Sequence, residues 1–299
     1  MLKIRDLSKT YANGVQALKG ITLDIPTGMF GLLGPNGAGK STLMRTLATL
    51  QDPDSGSVHL GELDVLSNKI EARRRLGYLP QEFGVYPKVT AQDMLDHFAI
   101  LKGVVERKPR KALVEALLNQ VNLWQVRDRK LGTFSGGMRQ RFGIAQALIG
   151  QPDLLIVDEP TAGLDPEERN RFLNLLAEVG EHVVVILSTH IVEDVTDLCP
   201  RMAIIAQGQL RLSGEPLETI RSLEGRVWQK TVPKESLAAH IAAHNVLSTR
   251  LVGGRSVIHV LDDGNPGDGF SAVAPDLEDV YFGELRHAAS TETTISRAA

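Results

Sequence analysis

Residues 34–42 read GPNGAGKST. The apolar MFGLL (29–33) comes before them and the apolar-periodic STLMRTLATL (41–50) overlaps their end, so the stretch joins a strand to a helix. The backbone from Gly34 through Pro35, Asn36, Gly37, Ala38 and Gly39 can wrap phosphate oxygens with the N–H groups that all of these but Pro35 carry, and the following helix start adds its positive dipole end. Lys40 stands where the G-x-x-x-x-G-K-[ST] pattern places the amine that reaches the β- and γ-phosphates. Ser41 offers a hydroxyl to magnesium, and Thr42 completes the loop. A glycine turn alone would be bland; a strand before it and a helix after it make it a phosphate-binding loop. This predicts an α/β fold of the P-loop NTPase type.

Three later runs support a buried parallel sheet: DLLIVDE (153–159), HVVVILSTH (182–190) and RMAIIAQG (201–208). Runs apolar on both faces suit strands covered on both sides. The first ends in Asp158 and Glu159. Beside a phosphate loop, Asp158 fits a magnesium shell, and Glu159 fits a group that orients or deprotonates the attacking water. Without the loop they would read as two solvated acids at a strand end.

The bulk composition is that of an ordinary globular chain of 299 residues, 42% hydrophobic and 23% charged. A net charge of −3 gives no electrostatic case for nucleic acid or an anionic membrane surface, and the basic ARRRLG (72–77) reads as a solvated face. The single cysteine, Cys199, precludes an intrachain disulfide and reads as a small apolar residue beside Pro200. No apolar run nears the ~20 residues that span a bilayer, and MLKIRDLSKTY lacks a leader's apolar core. The expectation is a cytosolic chain whose membrane part, if any, is supplied by another protein.

Short strands and turns are expected before residue 34 and again at GSVHLGELD (56–64). Helical periodicity fills about 83–150, with Met94, Leu95, Phe98 and Leu101 on one face. Leu113, Ala116, Leu117 and Val121 share another, in a helix that starts at Pro109. Beyond a helix from Pro216 to near Gly225, the strands RVWQKTV, LSTRLV and SVIHVLD and the helix ESLAAHIAAH suggest a separate small α+β unit over 225–285. Residues 286–299 show no periodicity and are expected to be an unstructured tail. His240 and His244, at i and i+4, could share a metal, but no cysteine or H-E-x-x-H pattern supports it.

FSGGM (134–138) poses the remaining question, because a helix start does not need two glycines. The ordered set of motifs resembles the ATP-binding subunits of ABC transporters over residues 1 to about 220. In those terms Tyr11 in KTYANG resembles the aromatic that stacks on adenine, and Gln81 in YLPQE the glutamine that links magnesium and water to the membrane subunit. FSGGM resembles the family signature, Asp165 in AGLDP the dimer-contact loop, and His190 in LSTH the γ-phosphate switch histidine. The resemblance implies an antiparallel β subdomain and a helical subdomain around the P-loop core. It also implies ATP and Mg2+ as cofactors, a second ATPase subunit as a homodimer partner, and integral membrane permease subunits that hold the chain at the inner face of the cell membrane.

Head-to-tail pairing would place Ser135, Gly136 and Gly137 on the ATP held by the partner's loop. Met138 departs from the family's usual glutamine, which leaves the strength of closure open. APDLEDVYF (274–282) resembles the C-terminal LEDVF element of ATPases that export drugs, antibiotics, polysaccharides or lipids. The competing readings are a non-transport ABC ATPase and a nucleotide-responsive subunit with little turnover. A single cassette without long coiled coils argues against the first, and Glu159 with His190 against the second.

Overall fold

A computed structural model describes residues 1–298 apart from 162 and 268, with side chains as far as residue 288. In chain order, β1 (Leu2–Thr10), β2 (Gln16–Ile25) and β3 (Gly28–Leu33) lead to the glycine loop and α1 (Lys40–Leu47). Then come β4 (Ser55–Leu60), β5 (Leu63–Asp64), α2 (Lys69–Arg74) and β6 (Leu76–Leu79). Three helices follow: α3 (Ala91–Leu101), α4 (Arg107–Gln120) and α5 (Gly136–Ala147). The chain returns through β7 (Leu154–Asp158), α6 (Pro166–Gly180), β8 (Val184–Thr189), α7 (Val192–Leu198), β9 (Arg201–Ala206), β10 (Gln209–Gly214) and α8 (Pro216–Arg221). It ends with β11 (Val227–Val232), α9 (Leu237–Ala243), β12 (Val246–Val252), β13 (Arg255–Leu261), β14 (Ser271–Ala272) and α10 (Leu277–Ala298).

The central sheet has the order β10-β9-β3-β8-β7-β6. It is parallel from β9 to β6, with β10 added antiparallel at the edge. Alternate side chains of its strands enter different cores, as the pleat requires. Leu155, Val157, Val185 and Leu187 face a cluster shared with α3 to α7, while Leu154, Ile156, Val184 and Ile186 face one shared with α1 and the sheet β2-β1-β4-β5. This double burial is why these runs carry no polar alternation. Each such side chain contributes roughly 1.5–3 kcal/mol.

The register sets the site. Leu33 pairs with Thr189 and Asp158 with Ser188, so β3, β7 and β8 end together. Leu79 pairs with Val157, which brings the segment after β6 to the same edge. Ligands of open α/β sheets bind at this carboxyl edge.

Two helical faces differ from expectation. Leu101 is 68% exposed, so the α3 stripe consists of Met94, Leu95 and Ala99 with Phe98 at its margin. In α4 the buried residues are Val114, Leu117 and Leu118, while Ala116 points outward. ALVEALL is apolar enough to admit either phase, and packing against α3 and α5 selects this one. The helix also begins at Arg107, two residues before Pro109.

The C-terminal sheet, β12-β13-β11-β14, has its own small core of Val232, Val246, Ile258 and Val260. α10 does not stay with it. Leu277, Val280 and Tyr281 belong to the large cluster of the central sheet, across the boundary expected near 225. On its other side α10 is pinned to the small sheet by fully buried Asp279, which accepts from Ser248 Oγ at 3.2 Å and lies 2.9 Å from His259 Nδ1. The backbone of 286–298 is the second half of α10, where an unstructured tail was expected; side chains from 289 onward lie outside the described residues. Once LEDVYF nucleates the helix, each added residue costs little.

Candidate functional site

The loop between β3 and α1 is built by close approach. A Cβ at Gly34 would collide with the Ile205 carbonyl oxygen, and one at Gly39 with that of Ala17. Gly39 also adopts φ 108°, which favours glycine. Lys40 is 5% exposed, and its ammonium donates to the carbonyls of Gly34 (2.6 Å) and Pro35 (3.3 Å). Burial lowers its pKa, opposed by Glu159 and Asp158. Ser41 is exposed at the first turn of α1, and Thr42 is buried. Tyr11 Oη lies 3.1 Å from Thr42 Oγ1 and donates to Gln51 at 3.2 Å, which sets its ring beside the end of the phosphate loop.

Three predicted side chains converge on the carboxylate of a fourth, Glu159. Glu159 Oε1 is 3.7 Å from Lys40 Nζ, while Oε2 accepts from Gln81 Nε2 at 3.3 Å and lies 3.2 Å from His190 Nδ1. The Glu159 backbone is left-handed, φ 45°, and its N–H donates to the Ser188 carbonyl at 2.8 Å. A non-glycine residue held there costs of order 1–3 kcal/mol and persists where its surroundings over-determine it. Asp158, buried beside it, has a pKa raised first by burial and further by the charge of Glu159.

The signature residues lie elsewhere. Ser135 caps α5, its Oγ accepting from Met138 N–H at 3.2 Å. Among the described residues no hydrogen bond joins Ser135, Gly136 or Gly137 to residues 34–42. Their neighbours are on α6 and the loop just before it: a Cβ on Gly136 would stand 3.8 Å from Leu164, an ordinary contact. A Cβ on Gly137 would overlap the carboxylate of Glu168, with Cδ at 2.6 Å. Glu168 is held by Arg141 at 3.4 Å and Arg171 at 3.8 Å. The second glycine is thus favoured within the chain itself, since a side chain there would displace Glu168, a constraint the sequence did not reveal. Met138 packs partly buried on the main core. Asp165 is exposed and caps α6, accepting from Glu168 N–H at 2.9 Å.

A model of the ABC transporter family matches residues 18–162. The linearmycin resistance ATP-binding protein LnrL of Bacillus subtilis is 37% identical over 227 residues, covering 75% of this chain and 72% of that one. The chain belongs to the ATP-binding proteins of ABC transporters. The daunorubicin/doxorubicin resistance ATP-binding protein DrrA of Streptomyces peucetius is 36% identical over 262 residues, 87% of this chain and 77% of that one. Phosphonate and methionine import ATP-binding proteins are also among the relatives of this ABC ATPase. A dimeric structure of the ATP-binding cassette MJ0796 in a post-hydrolysis state, bound to ADP and Pi, superposes with TM-score 0.65 at 26% identity. It covers 72% of this chain and 98% of that one.

Several expected features of this ABC ATPase fold into packing. The His240 and His244 rings stack 6.0 Å apart, His244 meets the Phe270 ring, and His240 Nδ1 bonds the Ser236 carbonyl. Among the described residues no three His, Cys, Asp or Glu side chains cluster as a metal cage. Burial pushes the Cys199 thiol up to about 12, so it is an inert core residue. No described helix is long and apolar enough to cross a membrane.

Proposed function

We propose that the chain binds Mg·ATP at residues 34–42, hydrolyses it with Glu159, and pairs with a second copy so that each signature covers the other's nucleotide. The observation that carries this reading is the convergence of Lys40, Gln81 and His190 on the Glu159 carboxylate. In this reading Glu159 orients and deprotonates water, and its contacts with Gln81 and His190 support that role. Lys40 would exchange its loop carbonyls for phosphate oxygens, and Tyr11 would meet the adenine. The Ser41 hydroxyl, the Gln81 amide oxygen and the Asp158 carboxylate are hard oxygen donors that suit magnesium, and Asp158 is a buried carboxylate without an ion-pair partner among the described residues. Bound there, magnesium would neutralise phosphate charge.

The direction of transport we assign is export. The resistance proteins among the relatives and the LEDVYF element support it. A cavity of ≈ 560 Å³ is lined by Ile70, Arg73, Tyr78, Phe98, Leu101 and Lys102, with Ile70 and Leu101 exposed. It lies where Tyr78 leads toward Gln81 and is the surface we assign to the membrane subunits, which would hold the chain at the cytoplasmic face. The sheet of 225–272 is assigned to regulation or dimer support. Glu159→Gln tests the central claim: ATP binding and dimerisation should persist while turnover falls by roughly 10²-fold or more, the scale of a lost general base. Near-normal hydrolysis by the purified variant would refute it.

A further inference from the structure

α7 begins two residues after His190, and its third residue, Asp194, is a fully buried carboxylate. Its oxygens are divided between two other segments. Oδ2 accepts from Thr161 Oγ1 at 2.9 Å, while Oδ1 accepts from Arg169 Nε at 2.8 Å and pairs with its Nη2 at 2.7 Å. Thr161 stands two residues beyond Glu159, and Arg169 lies in the first turns of α6, which Asp165 caps. One side chain therefore ties together the segments that carry Glu159, Asp165 and His190.

Two physical facts give this tie a purpose other than stability. Burying an ion pair seldom stabilises more than apolar residues of the same volume would. And Glu159 sits in a left-handed backbone conformation that its surroundings must impose. The Thr161–Asp194 bond restrains that strained segment from one side, and the Glu159 N–H to Ser188 bond from the other. We propose that Asp194 is a positioning residue for hydrolysis: it keeps the His190 and Glu159 segments in register, so that the imidazole stays beside the carboxylate. This rests on the assignment of Glu159 and His190 to turnover made above.

The test uses the full chain assembled with its membrane subunits, and the variants Thr161→Val, Asp194→Asn and His190→Ala. Thr161→Val keeps shape and leaves the Arg169–Asp194 pair intact, so it folds even if Asp194→Asn does not. Its kcat should fall about 10-fold, within the range that small misplacements of reacting groups produce, while equilibrium ATP binding stays within about 2-fold. In a His190→Ala background the same substitution should have almost no further effect on kcat, because the group being positioned is gone. Wild-type kcat in Thr161→Val would overturn the proposal. So would losses that multiply in the double variant, the signature of a general folding defect. Normal turnover by both Glu159→Gln and His190→Ala would instead reject the site assignment itself, and this proposal with it.

Discussion

Gly137→Ala is a small perturbation whose outcome the structure decides in sign. The added methyl would overlap the Glu168 carboxylate, with Cδ at 2.6 Å and Cγ at 2.9 Å. The end of Glu168 can swing aside, but this breaks a partly buried contact with Arg141, whose remaining partners are the Val121 and Asn122 carbonyls. Overpacking of this kind costs about 1–3 kcal/mol. Against it stands the better helix propensity of alanine, up to about 1 kcal/mol. The single variant should therefore be destabilised, by up to about 2 kcal/mol, which for a chain of this size is a fall of a few degrees. In a Glu168→Ala background the overlap vanishes and only the propensity remains, so the same Gly137→Ala change should now raise the melting temperature. Thermal melts of the four nucleotide-free proteins close the cycle. A shift of the same sign and size in both backgrounds would show that Glu168 is not what excludes a side chain at 137.

Covering of nucleotide in trans is better tested at Gly136, where a side chain meets only ordinary contact within the chain: Gly136→Asp and Lys40→Ala homodimers should fail to occlude ATP, their mixture should regain one site, and verified heterodimers without occlusion would refute the arrangement. Burial raises the Asp158 pKa, so its contribution to stability is present below the ordinary carboxylate range and lost as pH rises through the raised value. Asp158→Asn should accordingly melt higher than the wild type at pH 7 without nucleotide, with the gap closing toward about pH 4, yet lose magnesium-dependent turnover; equal melting at pH 7 would contradict this. A chain cut at Gly225 loses Leu277, Val280 and Tyr281 from the main core. At roughly 1.5–3 kcal/mol for each, it should melt far below the full chain, and a calorimetric midpoint within a degree or two would disprove the packing role of α10.

What the sequence disclosed was local. The phosphate loop is legible in nine consecutive residues, where Gly39 needs its positive φ and Lys40 bonds the Gly34 and Pro35 carbonyls, and β7, β8 and β9 announce themselves by lacking polar alternation; the contacts of Gly34 with Ile205 and of Gly39 with Ala17 are not local and left no trace. The placement of β3 between β9 and β8 left no such trace, nor did the choice of Val114 and Leu118 over Leu113 and Ala116. Contacts between distant segments were equally silent. Glu168 meets Gly137 across 31 residues and Asp194 meets Thr161 across 33, and both acids look like solvated helix charges until the fold buries Asp194 and partly covers Glu168. A carboxylate one turn into the helix after His190 is too common a feature to single out Asp194. The length of α10 was hidden because RHAASTETTISRAA has no stripe to mark a helix that merely continues.

The route of α10 has a consequence for how such a chain can change. Because it returns to α7 and α8 after the small sheet, residues 226–272 are threaded into the ATPase as an insert, with both attachment points on the same body. An appendage at a free end can be lost by a single early stop. An insert must be excised at two places, and its replacement must hand the chain back to Leu277. Asp279, with partners in the small sheet and helix neighbours in the main core, stands at the seam. The small sheet is therefore an internal segment of the chain, and α10 is the element that closes back onto the ATPase after it.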